Sequence, residues 1–156
     1  MGDVLITDGG PEHIEGCVDI ARRLPGFFTD KAVHSLGEDL REDVAYVALD
    51  PGGVAGFVVL RPDLEAREAD VQWLGVRTTL HRQGIGTLLL GRAESEMRAR
   101  GIRLLRVRTL AEEAHYGPYG GTRRFYEVNG FEHVVTIPDY PLWDDGNPCA
   151  VYEKEL

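Results

Sequence analysis

The sequence has few cysteines, and they lack the spacing of metal ligands. It contains two, Cys17 and Cys149, which lie far apart in the chain. Protein zinc sites use closely spaced cysteines and histidines, so no metal site is expected. We therefore predict two free thiols in a reducing compartment, and a cytoplasmic location.

The sequence also lacks long apolar stretches and an excess of basic residues. Its longest uncharged apolar stretch falls well short of the roughly 18 residues that indicate a membrane span. Its start lacks the basic region of a signal peptide. There are 17 Lys and Arg against 26 Asp and Glu, for a net charge of −9. This charge disfavours nucleic acid and anionic membranes as partners and mildly favours cationic substrates.

The apolar pattern predicts one mixed α/β domain over 1–156. Hydrophobic residues make up 43% of the chain, enough for one core at this length. Strands are predicted at 4–7, 44–49, 54–60, 71–76, 104–110, 134–137 and 150–152. Helices are predicted to start at Pro11 and at a cap on Thr29 or Asp30, and to cover 84–100 and 122–129. This order implies a mixed sheet with helices on both faces.

A glycine-containing loop at 81–87 separates the third long strand from the longest helix. First-turn amides of a helix have no intrahelical partners and carry partial positive charge, so such a loop can bind a diphosphate. Gly84 and Gly86 allow close approach to the backbone, although Gly-x-Gly before a helix also serves tight packing. The Walker pattern is absent, and the dinucleotide fingerprint needs a third glycine where Leu89 stands.

Two motifs in this order resemble the GNAT family of N-acetyltransferases. One covers 74–86, and the other is the run Phe-Tyr-Glu-Val-Asn-Gly-Phe at 125–131. The resemblance implies the acyl-CoA N-acyltransferase fold, a mostly antiparallel sheet with one splayed parallel pair. It also implies acetyl-CoA as cosubstrate, held by Leu74, Gly75, Val76, His81, Arg82, Gln83, Gly84, Ile85, Gly86 and Thr87. His81 departs from the family's Arg or Gln, and Arg82 is a candidate to take over its contact.

The resemblance also suggests residues for acid and base catalysis. Tyr126 is the family-matched acid, because a phenol stays protonated at neutral pH and can protonate a departing thiolate. Its alternative role is to anchor the short helix in the core. Asp70 is the candidate base, because some family members place a carboxylate at this point of the strand. The alternatives are an exposed strand-start aspartate and an ordered water as proton carrier.

The predicted activity is transfer of an acetyl group to a primary amine of a small molecule or peptide within a ternary complex. A non-catalytic acyl-CoA-binding or regulatory domain and a protein-lysine acetyltransferase are the alternatives. The segment 116–122 is interpreted either as a mobile wall of the substrate or CoA site or as a solvated turn. Trp143, Asp144 and Asp145 form either an amine pocket or a surface turn, and Cys149 is either an acyl acceptor or a buried strand residue. Monomer and homodimer are both left open.

Overall fold

The computed structural model describes residues 3–81, 83–143 and 146–156. Within these residues, seven strands form one sheet in the order β1-β2-β3-β4-β5-β7-β6. The strands are β1 (Leu5–Asp8), β2 (Val44–Asp50), β3 (Gly53–Asp63), β4 (Glu68–Val76), β5 (Leu104–Leu110), β6 (Glu132–Ile137) and β7 (Cys149–Glu155). The helices are α1 (Ile14–Arg22), α2 (Asp30–Glu42), α3 (Ile85–Ala99) and α4 (Pro118–Val128).

All neighbouring strands are antiparallel except β4 and β5, which run parallel. The helices divide between the two faces of this sheet. On one face, α1 and α2 bury Cys17, Ile20 and Leu36 against β2 and β3. On the other face, α3 and α4 bury residues such as Leu89, Met97 and Tyr126. The predicted mixed sheet with helices on both faces is therefore confirmed.

Helix starts follow the capping signals at two places and depart from the prediction at a third. Thr29 caps α2, and its Oγ1 accepts the Ala32 N–H at 3.1 Å. Pro11 opens a short 3₁₀ turn that leads into α1. The prediction for α4 was wrong, because this helix begins at Pro118 and not at Thr122. Proline fits the first helical position, so the glycines after it are the first turn of the helix and not a loop.

An extra residue in β4 changes the direction in which its side chains point. Val59 of β3 stands opposite Trp73 of β4. The next β3 residue, Leu60, stands opposite Val71, so Gln72 is the extra residue of a β-bulge. Before the bulge, the odd-numbered residues Ala69 and Val71 face α3. After it, the even-numbered residues Leu74 and Val76 do so. Trp73 therefore packs on the α1 and α2 face, where regular alternation would have placed it against α3.

Candidate active site

The strands β4 and β5 separate partway along their length. Their last paired residues are Val71 and Val107. Beyond this point β5 continues to Leu110 as a partner of β7 alone, and β4 continues to Val76 as a partner of β3 alone. The resulting space, which we call the β4–β5 gap, is the splayed parallel pair that the motifs imply.

One side of this gap is a row of β4 backbone groups that no neighbouring strand pairs. The Arg77 N–H donates to the Ala55 carbonyl at 2.8 Å, so these two positions form a hydrogen-bonded pair of the β3–β4 ladder. In antiparallel ladders the neighbouring position turns its N–H and C=O away from the partner strand. Val76 and, two residues earlier, Leu74 consequently point these groups into the gap. An extended ligand can bond there as an added strand would.

Gly75 lies between these two positions, and a side chain there would point to the face of the sheet that carries α1 and α2. A Cβ at this position would stand 2.7 Å from the Phe57 ring, well inside normal contact distance. Glycine therefore lets the aromatic ring pack directly against the strand. The cofactor-binding assignment of Gly75 stays a prediction, while its packing role follows from the geometry.

The start of α3 has the geometry of an anion site. Gly84 precedes the helix with φ of 81°, a left-handed conformation that favours glycine, and a Cβ there would meet no atom of the described residues within 4 Å. The Leu88 N–H makes the first intrahelical bond, to the Gly84 carbonyl at 3.0 Å. The amides of residues 85–87 therefore have no intrahelical acceptor. Ile85 is buried and anchors this end of the helix, whereas Thr87 is exposed.

His81 is held at the end of β4. Its Nε2 lies 2.7 Å from the Val76 carbonyl. Because a carbonyl can only accept, Nε2 carries the proton and donates it. His81 thus bonds to one of the backbone groups that face the gap, and Gln83 makes a longer bond of 3.4 Å to the Thr79 carbonyl. Arg82 lies outside the described residues, so its predicted contact stays a prediction.

The run at 125–131 is the end of α4 together with its cap. The Phe131 N–H donates to the Tyr126 carbonyl at 2.9 Å, and the Gly130 N–H donates to the Glu127 carbonyl at 3.1 Å. With Gly130 at φ of 91°, this is a Schellman motif, which favours glycine at that position. The motif also brings the Phe131 ring to 5.3 Å from the Tyr126 ring.

Tyr126 is fixed on two sides and is almost fully buried. Its ring stands edge-to-face with Phe131 and with Phe125, whose centroid is 5.2 Å away. The side chain is 4% exposed, and its hydroxyl makes no hydrogen bond to any described residue. Burial raises the pKa of Tyr126 well above its ordinary value, with a smaller contribution from Tyr119. This hydroxyl therefore stays protonated at neutral pH, which is the state that a proton donor requires.

The two motifs are in direct contact. A Cβ on Gly86 would stand 3.0 Å from two ring carbons of Phe125. Glycine at the first turn of α3 therefore lets α4 approach closely. Phe125 packs against Gly86 on one side and against the Tyr126 ring on the other. The Gly-x-Gly pattern therefore fits both the anion-binding and the tight-packing interpretation. Gly84 leaves space for a ligand, whereas Gly86 packs against Phe125.

Asp70 lies before the bulge, where β4 and β5 are still paired. Its carboxylate is 3.2 Å from an Arg108 nitrogen and 3.7 Å from an Arg106 nitrogen. Arg106 is also bonded to Glu68 and Glu153, and these partners raise the pKa of its guanidinium. Asp70 is therefore part of an ion-pair network on the face of the sheet that carries α1 and α2.

Two tyrosines tie the segment before α4 to the connection between α1 and α2. The Tyr116 hydroxyl donates to the Gly26 carbonyl at 2.9 Å, and the Tyr119 hydroxyl donates to the Phe27 carbonyl at 3.1 Å. The rings of Phe27 and Tyr119 also pack at 5.2 Å. Sequence analysis missed this tie, since the partners are about ninety residues apart. It excludes a fully solvated turn.

The remaining sequence candidates are buried, packed or outside the described residues. Both thiols are free and fully buried. Burial raises the pKa of Cys17 to about 12 and that of Cys149 to about 11, so neither forms a thiolate at neutral pH. Cys149 is thus a buried residue of β7. Trp143 packs edge-to-face on Tyr140, whereas 144 and 145 are not described.

Other features of the described residues lie away from the gap. An open cavity of about 470 Å³, lined by arginines including Arg98, Arg100 and Arg103, lies at the far end of α3. That end is about 22 Å from Gly84 along the 15-residue helix. No three acidic, histidine or cysteine side chains in the described ranges are grouped to hold a metal ion. No helix in these ranges is long and apolar enough to cross a membrane.

Comparison with known proteins identifies the family. The model of the acetyltransferase (GNAT) domain matches residues 41–133. The chain therefore belongs to the GNAT acetyltransferase family, and the resemblance drawn from the two motifs is confirmed. No curated protein matches the sequence significantly.

Solved structures share the fold along the whole chain at low identity. A GNAT-family acetyltransferase from Desulfovibrio desulfuricans has a TM-score of 0.87 at 22% identity, covering 98% of this chain and 99% of that one. An IAA acetyltransferase from Bacillus cereus has a TM-score of 0.76 at 20% identity, with 99% and 100% covered. A GNAT acetyltransferase from Elizabethkingia anophelis, solved with acetyl-CoA bound, has 0.72 at 18% identity, with 98% of each chain covered.

Proposed function

We propose that this protein transfers the acetyl group of acetyl-CoA to a primary amine of a small molecule or peptide. The observation that carries the proposal is the β4–β5 gap, where β4 backbone groups that no strand pairs lead toward the start of α3. A related fold that binds acetyl-CoA, in the Elizabethkingia enzyme, supports it. The net charge of −9 suits an acceptor that approaches as a cation.

In this proposal the cofactor is bound at two places. The diphosphate accepts hydrogen bonds from the amides at the start of α3, where the helix dipole favours negative charge. The pantetheine arm lies along β4 and bonds to the backbone of Leu74 and Val76. Gly84 leaves room for the phosphates, because no atom of the residues that the structure describes stands within 4 Å of the position of its missing Cβ.

The reaction is direct attack within a ternary complex. The amine nitrogen forms a bond to the thioester carbon, and the C–S bond breaks when the tetrahedral intermediate collapses. Tyr126 gives its proton to the departing sulfur, because the hydroxyl of this 4% exposed residue is protonated and makes no hydrogen bond to a described residue. Solvent or the proton released by the amine then restores the phenol.

Asp70 is proposed to take up the proton of the attacking amine, directly or through water. It lies on the sheet face of α1 and α2, opposite the face on which Tyr126 packs. Acid and base therefore lie on different faces of the sheet. The nitrogens of Arg108 and Arg106, 3.2 and 3.7 Å from the carboxylate, hold it in place on that face.

The proposal is tested by calorimetric titration of acetyl-CoA into the wild type and into Gly84→Glu. The variant places bulk and negative charge where the diphosphate is expected, so binding should be lost. Gly84→Ala introduces the same backbone strain without the charge, and it should bind more tightly than Gly84→Glu. Gly91→Glu is the matched control, because Gly91 is an exposed residue of α3 with open space around it.

Turnover is measured next, as thiol release with a panel of small amines and peptides. Release that depends on an amine supports the transferase. Saturable binding without release would select the non-catalytic acyl-CoA-binding domain. Absence of acetyl-CoA binding by the wild type would contradict the proposal, and the chain would then share only the fold of its relatives.

A further inference from the structure

Buried polar atoms without hydrogen bonds are rare, and three occur in the described part of the chain. They are the Tyr46 hydroxyl, Asp70 Oδ1 and the Thr109 hydroxyl. An unsatisfied buried polar group is costly, so each one requires an explanation. Asp70 has the guanidinium groups beside it as compensation. The Thr109 hydroxyl has no hydrogen-bond partner among the described residues, and no ion pair explains it.

Thr109 lies on β5 just beyond the point where the strands separate. It lies two positions after Val107, the last β5 residue that pairs with β4. On its other side, Thr109 pairs with Ala150 of β7. Burial alternates along β5, so Thr109 shares the face of Leu105 and Val107. This is the face on which α3 and α4 pack and on which Tyr126 lies. Thr109 is 5% exposed.

The position of Thr109 corresponds to one end of the bound cofactor. In the proposed complex the diphosphate lies at Gly84, beyond the end of β4. The pantetheine arm then runs back past Val76 and Leu74 toward the closed end of the gap. The thioester consequently lies nearest that closed end, where Thr109 stands on the opposite strand.

We propose that the Thr109 hydroxyl donates a hydrogen bond to a carbonyl oxygen at the thioester end of bound acyl-CoA. This inference rests on the proposed function, because it requires acyl-CoA in the gap. The hydroxyl would be satisfied by the ligand and by no residue of the described chain. If this position were purely structural, valine would be more stable than threonine, because it has the same shape and no polar atom to bury.

The test compares Thr109→Val with Thr109→Ser and Tyr46→Phe. Thr109→Val keeps the shape and removes the hydroxyl, and Thr109→Ser keeps the hydroxyl. Tyr46→Phe is the matched control, because it removes a second unpartnered buried hydroxyl on β2, away from the gap. Each protein is titrated with acetyl-CoA and with ADP, which carries the diphosphate but no pantetheine, and the Tm of each ligand-free protein is measured.

We expect Thr109→Val to raise the Kd for acetyl-CoA by about three- to tenfold, the effect of one neutral hydrogen bond. Its Kd for ADP should stay at the wild-type value, and its Tm should not fall. Thr109→Ser should bind acetyl-CoA nearly as the wild type does, and Tyr46→Phe should leave both dissociation constants unchanged.

Two results overturn the inference while leaving the proposed function intact. One is wild-type acetyl-CoA affinity in Thr109→Val. The other is an equal weakening of acetyl-CoA and ADP, which would indicate a general disturbance of the site. If the wild type itself binds no acetyl-CoA, the proposed function fails and the role of Thr109 fails with it.

Discussion

Replacing Tyr126 with phenylalanine should separate catalysis from stability. Phenylalanine keeps the edge-to-face contacts with Phe125 and Phe131, and it leaves the backbone bonds of the Schellman motif in place. The lost hydroxyl makes no hydrogen bond to a described residue. The free energy of unfolding should therefore change by less than about 1 kcal/mol, because no hydrogen bond, worth about 0.5–1.5 kcal/mol net, is lost.

Catalysis should respond very differently to the same change. Loss of a general acid typically lowers the rate by about 10²- to 10⁴-fold, so we expect kcat to fall within that range while the Kd for acetyl-CoA is retained. Tyr126→Ala is the contrasting variant. It empties a buried ring site and should lose about 3–5 kcal/mol of stability as well as activity.

The assay combines urea unfolding with thiol release under saturating acetyl-CoA and amine. A Tyr126→Phe enzyme with kcat within about twofold of the wild type would refute the acid role, because a missing acid has a far larger effect. A loss of stability that parallels the loss of activity would favour the alternative of a core anchor.

The pH profile gives an independent check on Tyr126. Its pKa lies above the ordinary tyrosine value of about 10, because burial disfavours the phenolate. Tyr126 should therefore cause no descending limb in kcat below about pH 10. A limb at lower pH that disappears in Tyr126→Phe would contradict the assigned pKa shift.

Two further predictions concern packing and charge. Gly86→Ala places a Cβ 3.0 Å from the Phe125 ring and should cost about 1–3 kcal/mol and lower kcat, while Gly91→Ala, in open space on the same helix, should stabilise. Asp70→Asn should lower kcat without changing the Kd for acetyl-CoA, and should cost at most about 1 kcal/mol because its pair with Arg108 is partly exposed. Wild-type kcat in Asp70→Asn would leave water as the base.

Much of the fold and part of the site follow from local signals in the sequence. The α3 helix was predicted over 84–100 and runs over Ile85–Ala99, because its apolar stripe and the flanking glycines are all within the helix or beside it. The placement of Tyr126 near the end of a helix likewise follows from the local run at 125–131. Its glycine and aromatic residues encode a helix end that lies within seven residues.

The features that sequence analysis missed depend on long-range contacts or on backbone register. The bulge at Gln72 leaves no mark in the composition of β4, yet it decides which side chains face α3. The bonds from Tyr116 and Tyr119 reach residues that precede them by about ninety positions. The early start of α4 was missed because three glycines near it favour a loop on propensity alone.

The bond from His81 to Val76 changes what cofactor binding must involve. The carbonyl at the end of β4 is already occupied by a histidine N–H before a ligand arrives. A pantetheine amide that takes this acceptor exchanges one hydrogen bond for another and gains little from it. Net affinity must then come from the groups that are free beforehand: the Leu74 backbone, the Val76 N–H and the amides at the start of α3. In the proposed complex, therefore, the Val76 carbonyl only exchanges one hydrogen-bond donor for another. The binding energy comes from the backbone groups before it on β4 and from the amides after it at the start of α3.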